Sequence, residues 1–191
     1  MKNKIIYFLL LLFLLLSCYE IYVFFNKKNM EEEKIKTFFK EIDELDVKDF
    51  VNKKDVSLNL TKDYLGYIEI KSLNIKKLIS YGTSDEVLNN NVVGLHKITK
   101  DIDSEFGNIV LAGHNNKYVF GNLVKIKLND EIILTTHKKT YKFKVIKKDI
   151  IDENNFNYFI DYQDEKIITL ITCYGRNKRL IIVGKEYYEH N

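Results

Sequence analysis

The chain has 191 residues, 46% of them hydrophobic, enough for one domain of ordinary size with a sizeable core and an N-terminal extension. Its 30 basic and 27 acidic residues give a net charge of +3, and this near balance gives no reason to expect a nucleic-acid partner. Its two cysteines, Cys18 and Cys173, lack metal-ligand spacing, and Cys18 lies in an apolar segment. The sequence therefore predicts no zinc site, no cofactor and no internal disulfide.

The first 28 residues predict a signal anchor. Two lysines precede the apolar run of residues 5–16, and residues 21–25 continue that run before Lys27 and Lys28. A helix over residues 5–25 is long enough to span a membrane, since about 20 residues cross the hydrocarbon core. This interpretation makes the protein a single-pass protein of the cell membrane with an extracytoplasmic domain.

A second interpretation of the same segment is a cleaved signal peptide with residues 5–16 as its apolar region. The sequence Leu15-Leu16-Ser17-Cys18 then resembles a bacterial lipobox, with Cys18 as the lipidated residue. The uncleaved anchor is favoured, and both interpretations place the rest of the chain outside the cytoplasmic membrane.

Residues 29–59 form the next segment, which is charged and compatible with a helix. Apolar side chains recur there every three to four residues, at Met30, Ile35, Phe38, Phe39, Ile42 and Leu45. This spacing predicts an amphipathic stalk or a helix that packs on the following domain. A flexible spacer is the alternative.

From Leu65 onward the pattern is that of β-strands. The predicted strands are residues 67–70, 74–79, 92–95, 108–112, 131–136, 140–151, 167–172 and 180–186, with a short helix at 84–89 capped by Ser84. The alternation is clearest where Tyr141, Phe143 and Val145 share one face and two lysines the other. About eight strands with few helices predict an antiparallel barrel or sandwich, and closure would remove exposed edges.

Cys173 stands at the end of the apolar strand 167–172 and is followed by a polar turn that contains Gly175 and Arg176. A thiol at a strand end beside a basic turn meets the conditions that favour a thiolate and hence nucleophilicity. Because side chains alternate along a strand, Thr169 and Ile171 share the face of Cys173.

His114 stands in a similar place, because the apolar strand ending at Ala112 is followed by Gly113-His114-Asn115. A histidine at such a rim can titrate, and beside a cysteine it can act as general acid and base in acyl transfer. The other histidines, which lack this context, are His96, His137 and His190.

The combination and order of these motifs resemble the sortase family. Residues 169–173, Thr-Leu-Ile-Thr-Cys, match the sortase signature T-L-x-T-C, and Ala112-Gly113-His114 matches the small-Gly-His segment of the family. Residues 179–184, Arg-Leu-Ile-Ile-Val-Gly, resemble the strand that carries the sortase arginine. The resemblance spans roughly residues 60–188 and includes weaker similarities at 66–70, 81–84, 120–123 and 130–132. It implies a catalytic domain over residues 60–191.

The resemblance implies a membrane-anchored enzyme that is mostly β, with a closed eight-stranded sortase-like barrel, short helices and an N-terminal transmembrane helix. Such enzymes cut a C-terminal sorting signal similar to L-P-x-T-G through a thioacyl intermediate. An amine from the peptidoglycan cross-bridge or from a pilin lysine then resolves it. The implied partners are surface proteins with sorting signals, that amine acceptor and the membrane, with no nucleic acid.

Carried onto this sequence, the resemblance implies that Cys173 attacks the threonine carbonyl of the signal. His114 would protonate the leaving amine and deprotonate the incoming one, and Arg179 would stabilise the oxyanion or position the substrate. The residues expected to bind the sorting signal are Ala112, Thr169, Ile171 and Thr172.

The sequence also departs from the family pattern. Only five residues separate Cys173 from Arg179, a loop shorter than in much of the family, so Arg176 competes for the arginine role. The apolar strand after Arg179 favours Arg179. No acidic residue can be assigned to calcium binding, and the segment before Gly113 lacks a long insertion that could form an active-site lid. The class stays open between A or D and B.

Two other functions remain to be weighed. A non-enzymatic extracytoplasmic β-barrel with a degraded site is disfavoured because the cysteine, histidine and arginine are all intact. A papain-like protease is disfavoured because in that fold the cysteine begins a helix and precedes the histidine.

Overall fold

The computed structural model describes residues 2–44, 64–99 and 101–188, and the chain divides into two compact units, Met1–Val47 and Lys48–Asn191. The first unit contains one helix, α1 (Lys2–Glu44). The predicted anchor and the first part of the predicted stalk are thus one continuous helix. The rest of the stalk segment, with Leu45, lies outside the described residues.

Helix α1 has the length and polarity of a membrane-spanning helix. Its stretch Lys4–Thr37 contains a window of mean hydropathy 2.3, and every side chain from residue 5 to residue 16 is exposed. A continuous exposed apolar surface is unfavourable in water and stable in a bilayer. The helix is therefore a candidate membrane span.

The second unit is a closed β-barrel. Its elements are β1 (Tyr64–Ile70), β2 (Ile75–Tyr81), α2 (Asp85–Leu88), β3 (Val93–Leu95), β4 (Gly107–Ala112), β5 (Glu131–Thr136), β6 (Thr140–Asp152), β7 (Lys166–Tyr174) and β8 (Lys178–Glu186). Around the barrel the order is β1-β2-β3-β4-β7-β8-β6-β5. The prediction of a mostly β, closed eight-stranded barrel is confirmed, and the sandwich alternative is wrong. Ser84 is the N-cap residue of α2, without the predicted side-chain bond.

The sequence pattern predicts an antiparallel barrel, but two of the strand pairs are parallel. Strands β2 and β3 pair in parallel, and so do β4 and β7. The parallel pair β4–β7 is possible because the chain between them makes a long crossover through the β5–β6 hairpin. As a result, β4 and β7 both end at the same rim of the barrel.

A bulge in β6 changes which of its side chains face the core. Tyr141, Phe143 and Val145 point into the main core, as predicted. The pairing with β8 then shifts register between Val145 and Lys147, and the later residue Ile151 lies in a separate cluster on the outside of the barrel. The extra residue reverses the alternation, as β-bulges do.

The outer cluster covers neighbouring parts of β4, β6, β7 and β8. Its members are Val110, Ile151, Ile167, Ile171, Ile181 and Val183, with Ala112, Tyr158, Phe159 and Tyr162 packed against them. We call residues 153–165, between β6 and β7, the β6–β7 segment. Its aromatic side chains bury this apolar face, which would otherwise be open to water.

A buried pair of polar side chains fixes the β6–β7 segment in place. Asn108 donates from Nδ2 to the carbonyl oxygens of Tyr158 at 3.0 Å and Ile160 at 3.1 Å. The Thr169 hydroxyl donates to Asn108 Oδ1 at 2.8 Å. Asn108 and Thr169 are 8% and 1% exposed, so these bonds are shielded from competing water.

We expect Thr169→Val to lower the free energy of unfolding by about 1–2 kcal/mol, because it leaves the buried Asn108 Oδ1 without its donor. Thr172→Val is the matched control. Among the described residues the buried Thr172 hydroxyl has no hydrogen-bond partner, so its removal should leave stability unchanged or slightly raised. Urea denaturation of the full chain in detergent micelles, followed by tyrosine circular dichroism, measures both. Equal losses in the two variants would contradict this account.

Candidate active site

The pairing of β7 with β8 places Cys173 beside Arg179. The two residues are direct partners in this antiparallel register. Residues directly opposite one another in such a pair point to the same face, with Cβ atoms about 4.5–5.5 Å apart. Arg176 lies instead in the exposed turn between the two strands. The register therefore brings Arg179, rather than Arg176, next to the thiol.

The parallel pairing of β4 with β7 brings His114 to the same rim. Ala112 is paired with Ile171, and the Gly113 amide continues the ladder by donating to the Ile171 carbonyl at 3.0 Å. His114 follows Gly113 directly. On the neighbouring strand, Cys173 lies two residues beyond Ile171. The two strand ends thus bring the backbones of His114 and Cys173 to the same rim.

The turn that carries His114 requires glycine before it. A Cβ atom at Gly113 would lie 2.7 Å from the Phe120 ring and 2.8 Å from a Val119 methyl group, so any other residue would displace the core. The His114 carbonyl accepts the backbone N–H groups of Asn116 and Phe120, both at 3.0 Å. Packing and hydrogen bonds together fix the backbone of the histidine.

Among the described residues the His114 ring has one polar partner, Asn89, which sequence reasoning missed. Nε2 lies 3.2 Å from Asn89 Oδ1, and Asn89 is the C-cap residue of α2. Because an amide oxygen only accepts, Nε2 is the donor in this contact, and Nδ1 is the ring nitrogen that takes no part in it. No motif marks Asn89, since the contact joins residues 25 positions apart.

The Cys173 side chain is accessible and unmodified. Its thiol is free and exposed, whereas the six residues before it in β7, Ile167–Thr172, are all buried. Cys173 is therefore the first exposed residue of β7. A rigid strand end that presents an exposed thiol is a suitable position for a nucleophile.

The Arg179 guanidinium is held by two contacts. One Nη2 hydrogen bond goes to Glu153 Oε2 at 2.9 Å, and Nη1 donates to the carbonyl of Lys178 at 3.0 Å. The side chains of Arg179 and Glu153 are 31% and 38% exposed. Glu153 is the second residue of the site that the sequence patterns did not indicate.

The four residues predicted to bind substrate lie in two different environments. Ala112 is half-buried and Ile171 is 9% exposed, both on the outer face near Cys173. Thr169 is covered by the β6–β7 segment, and Thr172 is 3% exposed and lies on the opposite face of β7. In this conformation neither threonine presents its side chain to solvent, and contact with a substrate stays a prediction for all four.

A cavity of about 310 Å³ opens elsewhere on the barrel, between the β3–β4 loop and the β6–β7 segment. Glu105, Asn108 and Asp161 are among its lining residues, and it lies toward the start of β4, away from Cys173. Within the described ranges no three His, Cys, Asp or Glu side chains are arranged to hold a metal ion.

Comparison with known proteins points to one family. The family model described as the sortase domain matches residues 68–187. Sortase A of Listeria monocytogenes is 32% identical to this chain over 134 residues, which are 66% of this chain and 59% of that relative. The chain therefore aligns with less than two thirds of the length of this curated relative.

Solved structures agree on the fold. Sortase C of Streptococcus pneumoniae matches with a TM-score of 0.72 at 20% identity, over 82% of this chain and 97% of that one. Sortase C of Clostridium perfringens SM101 matches with a TM-score of 0.61 at 28% identity, over 86% and 95% of the two chains.

The two thiols of the chain should differ in their reaction with a charged, membrane-impermeant thiol reagent. Cys173 is exposed on the barrel, whereas Cys18 lies within the candidate membrane span. In reconstituted vesicles we expect rapid labelling of the Cys18→Ser variant and at least tenfold slower labelling of Cys173→Ser. Mass spectrometry of the labelled chain provides the measurement. Equal rates would show that α1 does not bury Cys18 in the bilayer.

Proposed function

Because the chain belongs to the sortase family, we propose that it is a membrane-anchored cysteine transpeptidase that cleaves an L-P-x-T-G-like sorting signal and transfers the cleaved protein to an amine. Sortases anchor or polymerise surface proteins, including pilins. The observation that carries the proposal is the exposed thiol of Cys173, in register with Arg179 and beside the strand end that bears His114.

In the first half of the proposed reaction, Cys173 gives its thiol proton to His114, and the thiolate attacks the carbonyl carbon of the threonine in the signal and forms a tetrahedral oxyanion. The carbon–nitrogen bond to glycine then breaks. The glycine amine leaves with a proton from the His114 imidazolium, and a thioester remains on Cys173. Nucleophile and acid come from separate strand ends, so neither has to move to meet the substrate.

In the second half, the acceptor amine attacks the thioester, and His114 takes the proton that this amine loses. The carbon–sulfur bond breaks, a new amide forms, and Cys173 is released. The bond from Nε2 to Asn89 keeps the ring oriented throughout, so Nδ1 serves as the proton carrier in both halves. The acceptor is an amine of the peptidoglycan or a pilin lysine.

Arg179 has the donors needed to stabilise the oxyanion. A guanidinium carries five N–H groups, and two of those on Arg179 are used within the protein. The remaining donors can reach the developing negative charge or the substrate carbonyls. The positive charge of the guanidinium is permanent, since arginine stays protonated at any physiological pH.

The outer face beside Cys173 supplies the proposed groove for the sorting signal. Ala112, which is half-buried, borders the groove, while Ile171 and Thr169 support it from beneath the β6–β7 segment. Phe156 and Ile160 of that segment are 64% and 57% exposed. Exposed apolar side chains on the segment that covers this face fit the apolar first residues of such a signal.

The proposed domain organisation follows the sequence. Residues 1–28 anchor the protein in the cell membrane, residues 29–59 form a stalk, and residues 60–191 form the extracytoplasmic catalytic domain. The exposed apolar surface of α1 supports the anchor. Lipidation at Cys18 is the alternative way to attach the same domain to the same membrane.

Cys173→Ala should abolish the reaction. The full chain in detergent micelles is incubated with a library of sorting-signal peptides and several amines, and mass spectrometry identifies new amide products. We expect product from the wild type and from the Cys18→Ala control, and none from Cys173→Ala, because the thioester cannot form. Activity that survives in Cys173→Ala would refute the mechanism, and an inactive wild type would favour a non-enzymatic barrel.

The two arginines near the site should differ sharply in importance. We expect Arg179→Ala to lower kcat/KM by about 10²–10³-fold through loss of an oxyanion donor. Arg176→Ala, on the exposed turn, should change kcat/KM by less than about threefold. Steady-state kinetics with one sorting-signal peptide tests both variants, and the reverse order would transfer the arginine role to Arg176.

A further inference from the structure

Glu153 lies one residue beyond β6 and is the only acidic side chain seen in contact with Arg179 in the described part of the chain. Its Oε2 accepts a hydrogen bond from Arg179 Nη2 at 2.9 Å, a distance typical of a strong charged pair. The contact joins the start of the β6–β7 segment to the strand that carries the arginine.

The backbone around Glu153 is fixed by the same hairpin that carries the site. Ile151 pairs with Arg179 and Asp152 with Lys178. The Glu153 amide then continues this ladder by donating to the Asn177 carbonyl at 3.0 Å. The carboxylate is therefore attached to a backbone that cannot move independently of the β7–β8 turn.

The β6 bulge determines where the Glu153 side chain points. After the register shift between Val145 and Lys147, the odd-numbered residues of β6 lie outside the barrel, as Ile151 does. Glu153, two residues farther along, falls on that same outer face, diagonal to Arg179. With no bulge, the alternation would turn it toward the opposite face.

The contact orients the guanidinium and leaves some of its N–H donors available. Glu153 takes one of its donors and the Lys178 carbonyl takes another, which leaves three N–H groups of the fixed fork for a substrate. A guanidinium held in place before substrate binds loses less side-chain freedom in the transition state.

We propose that Glu153 is a positioning residue that acts on the reaction through Arg179. This inference rests on the proposed function, in which Arg179 contacts the substrate. Within the part of the chain that the structure describes, Glu153 contacts Arg179 and not Cys173, so we expect its effect on catalysis to pass through the orientation of the guanidinium.

An ion pair at the other end of the barrel provides the matched control. Lys185 and Glu165 lie 2.6 Å apart, and their side chains are 49% and 37% exposed, close to the exposure of the Arg179–Glu153 pair. An exposed pair of this kind contributes little to stability. Loss of the control pair should therefore leave catalysis unchanged.

The first test is a double-mutant cycle on the full chain in detergent micelles, with kcat/KM for a sorting-signal peptide as the readout. We expect Glu153→Ala to lower kcat/KM about 5- to 30-fold, and Glu153→Gln, which keeps the length and one acceptor, to restore part of the loss. In an Arg179→Ala background, Glu153→Ala should have less than a twofold further effect, because the residue it acts through is gone. Glu165→Ala should stay within twofold of the wild type.

The second test does not depend on activity. The chain contains two arginines, Arg176 and Arg179, so a ¹⁵N spectrum of the guanidinium groups is simple to assign with the Arg179→Ala variant. We expect slowed hydrogen exchange at Arg179 in the wild type and in Glu165→Ala, and fast exchange in Glu153→Ala.

The outcomes separate the two hypotheses. An inactive wild type would overturn the proposed function itself. If the wild type is active, three results would each overturn the role of Glu153 alone. They are an unchanged kcat/KM in Glu153→Ala, an additive loss of kcat/KM in the Arg179→Ala background, and fast hydrogen exchange at Arg179 in the wild type.

Discussion

The hydrogen-bond register of β7 between β4 and β8 is the constraint on which the candidate site depends. It places Cys173 opposite Arg179 and aligns the end of β7 with the strand end that precedes His114. A slip of one residue would turn the thiol toward the barrel core and send its neighbour outward. The alternating buried residues of β7, which fill two separate clusters, make such a slip costly.

Two of the three proposed catalytic groups are held by a contact outside their own strand. The His114 ring bonds to Asn89, and the Arg179 guanidinium bonds to Glu153. Cys173, by contrast, needs only its strand. The difference follows from side-chain geometry. An imidazole and a guanidinium rotate about side-chain bonds and work only when oriented, whereas a short thiol side chain is oriented by its backbone.

The sequence predicted the strands well and their partners poorly. Alternation correctly placed Tyr141 and Phe143 in the core, because burial on one face imposes a period of two on the local sequence. The parallel pairing of β4 with β7 has no such local signal. Nor does the β6 bulge, which moves Ile151 to the outer face. The burial of Thr169 likewise depends on a segment whose contacts are distant in sequence.

The sequence by itself determined the family, the apolar N-terminal helix and the identities of Cys173 and His114 as candidates, because those features reside in short motifs and local composition. Only the tertiary structure decided that Arg179 rather than Arg176 faces the thiol, and that Asn89 and Glu153 belong to the site. The physical reason is distance along the chain. Asn89 and Glu153 lie 25 and 26 positions from the residues they contact, and the inserted residue in β6 decides on which face Glu153 lies.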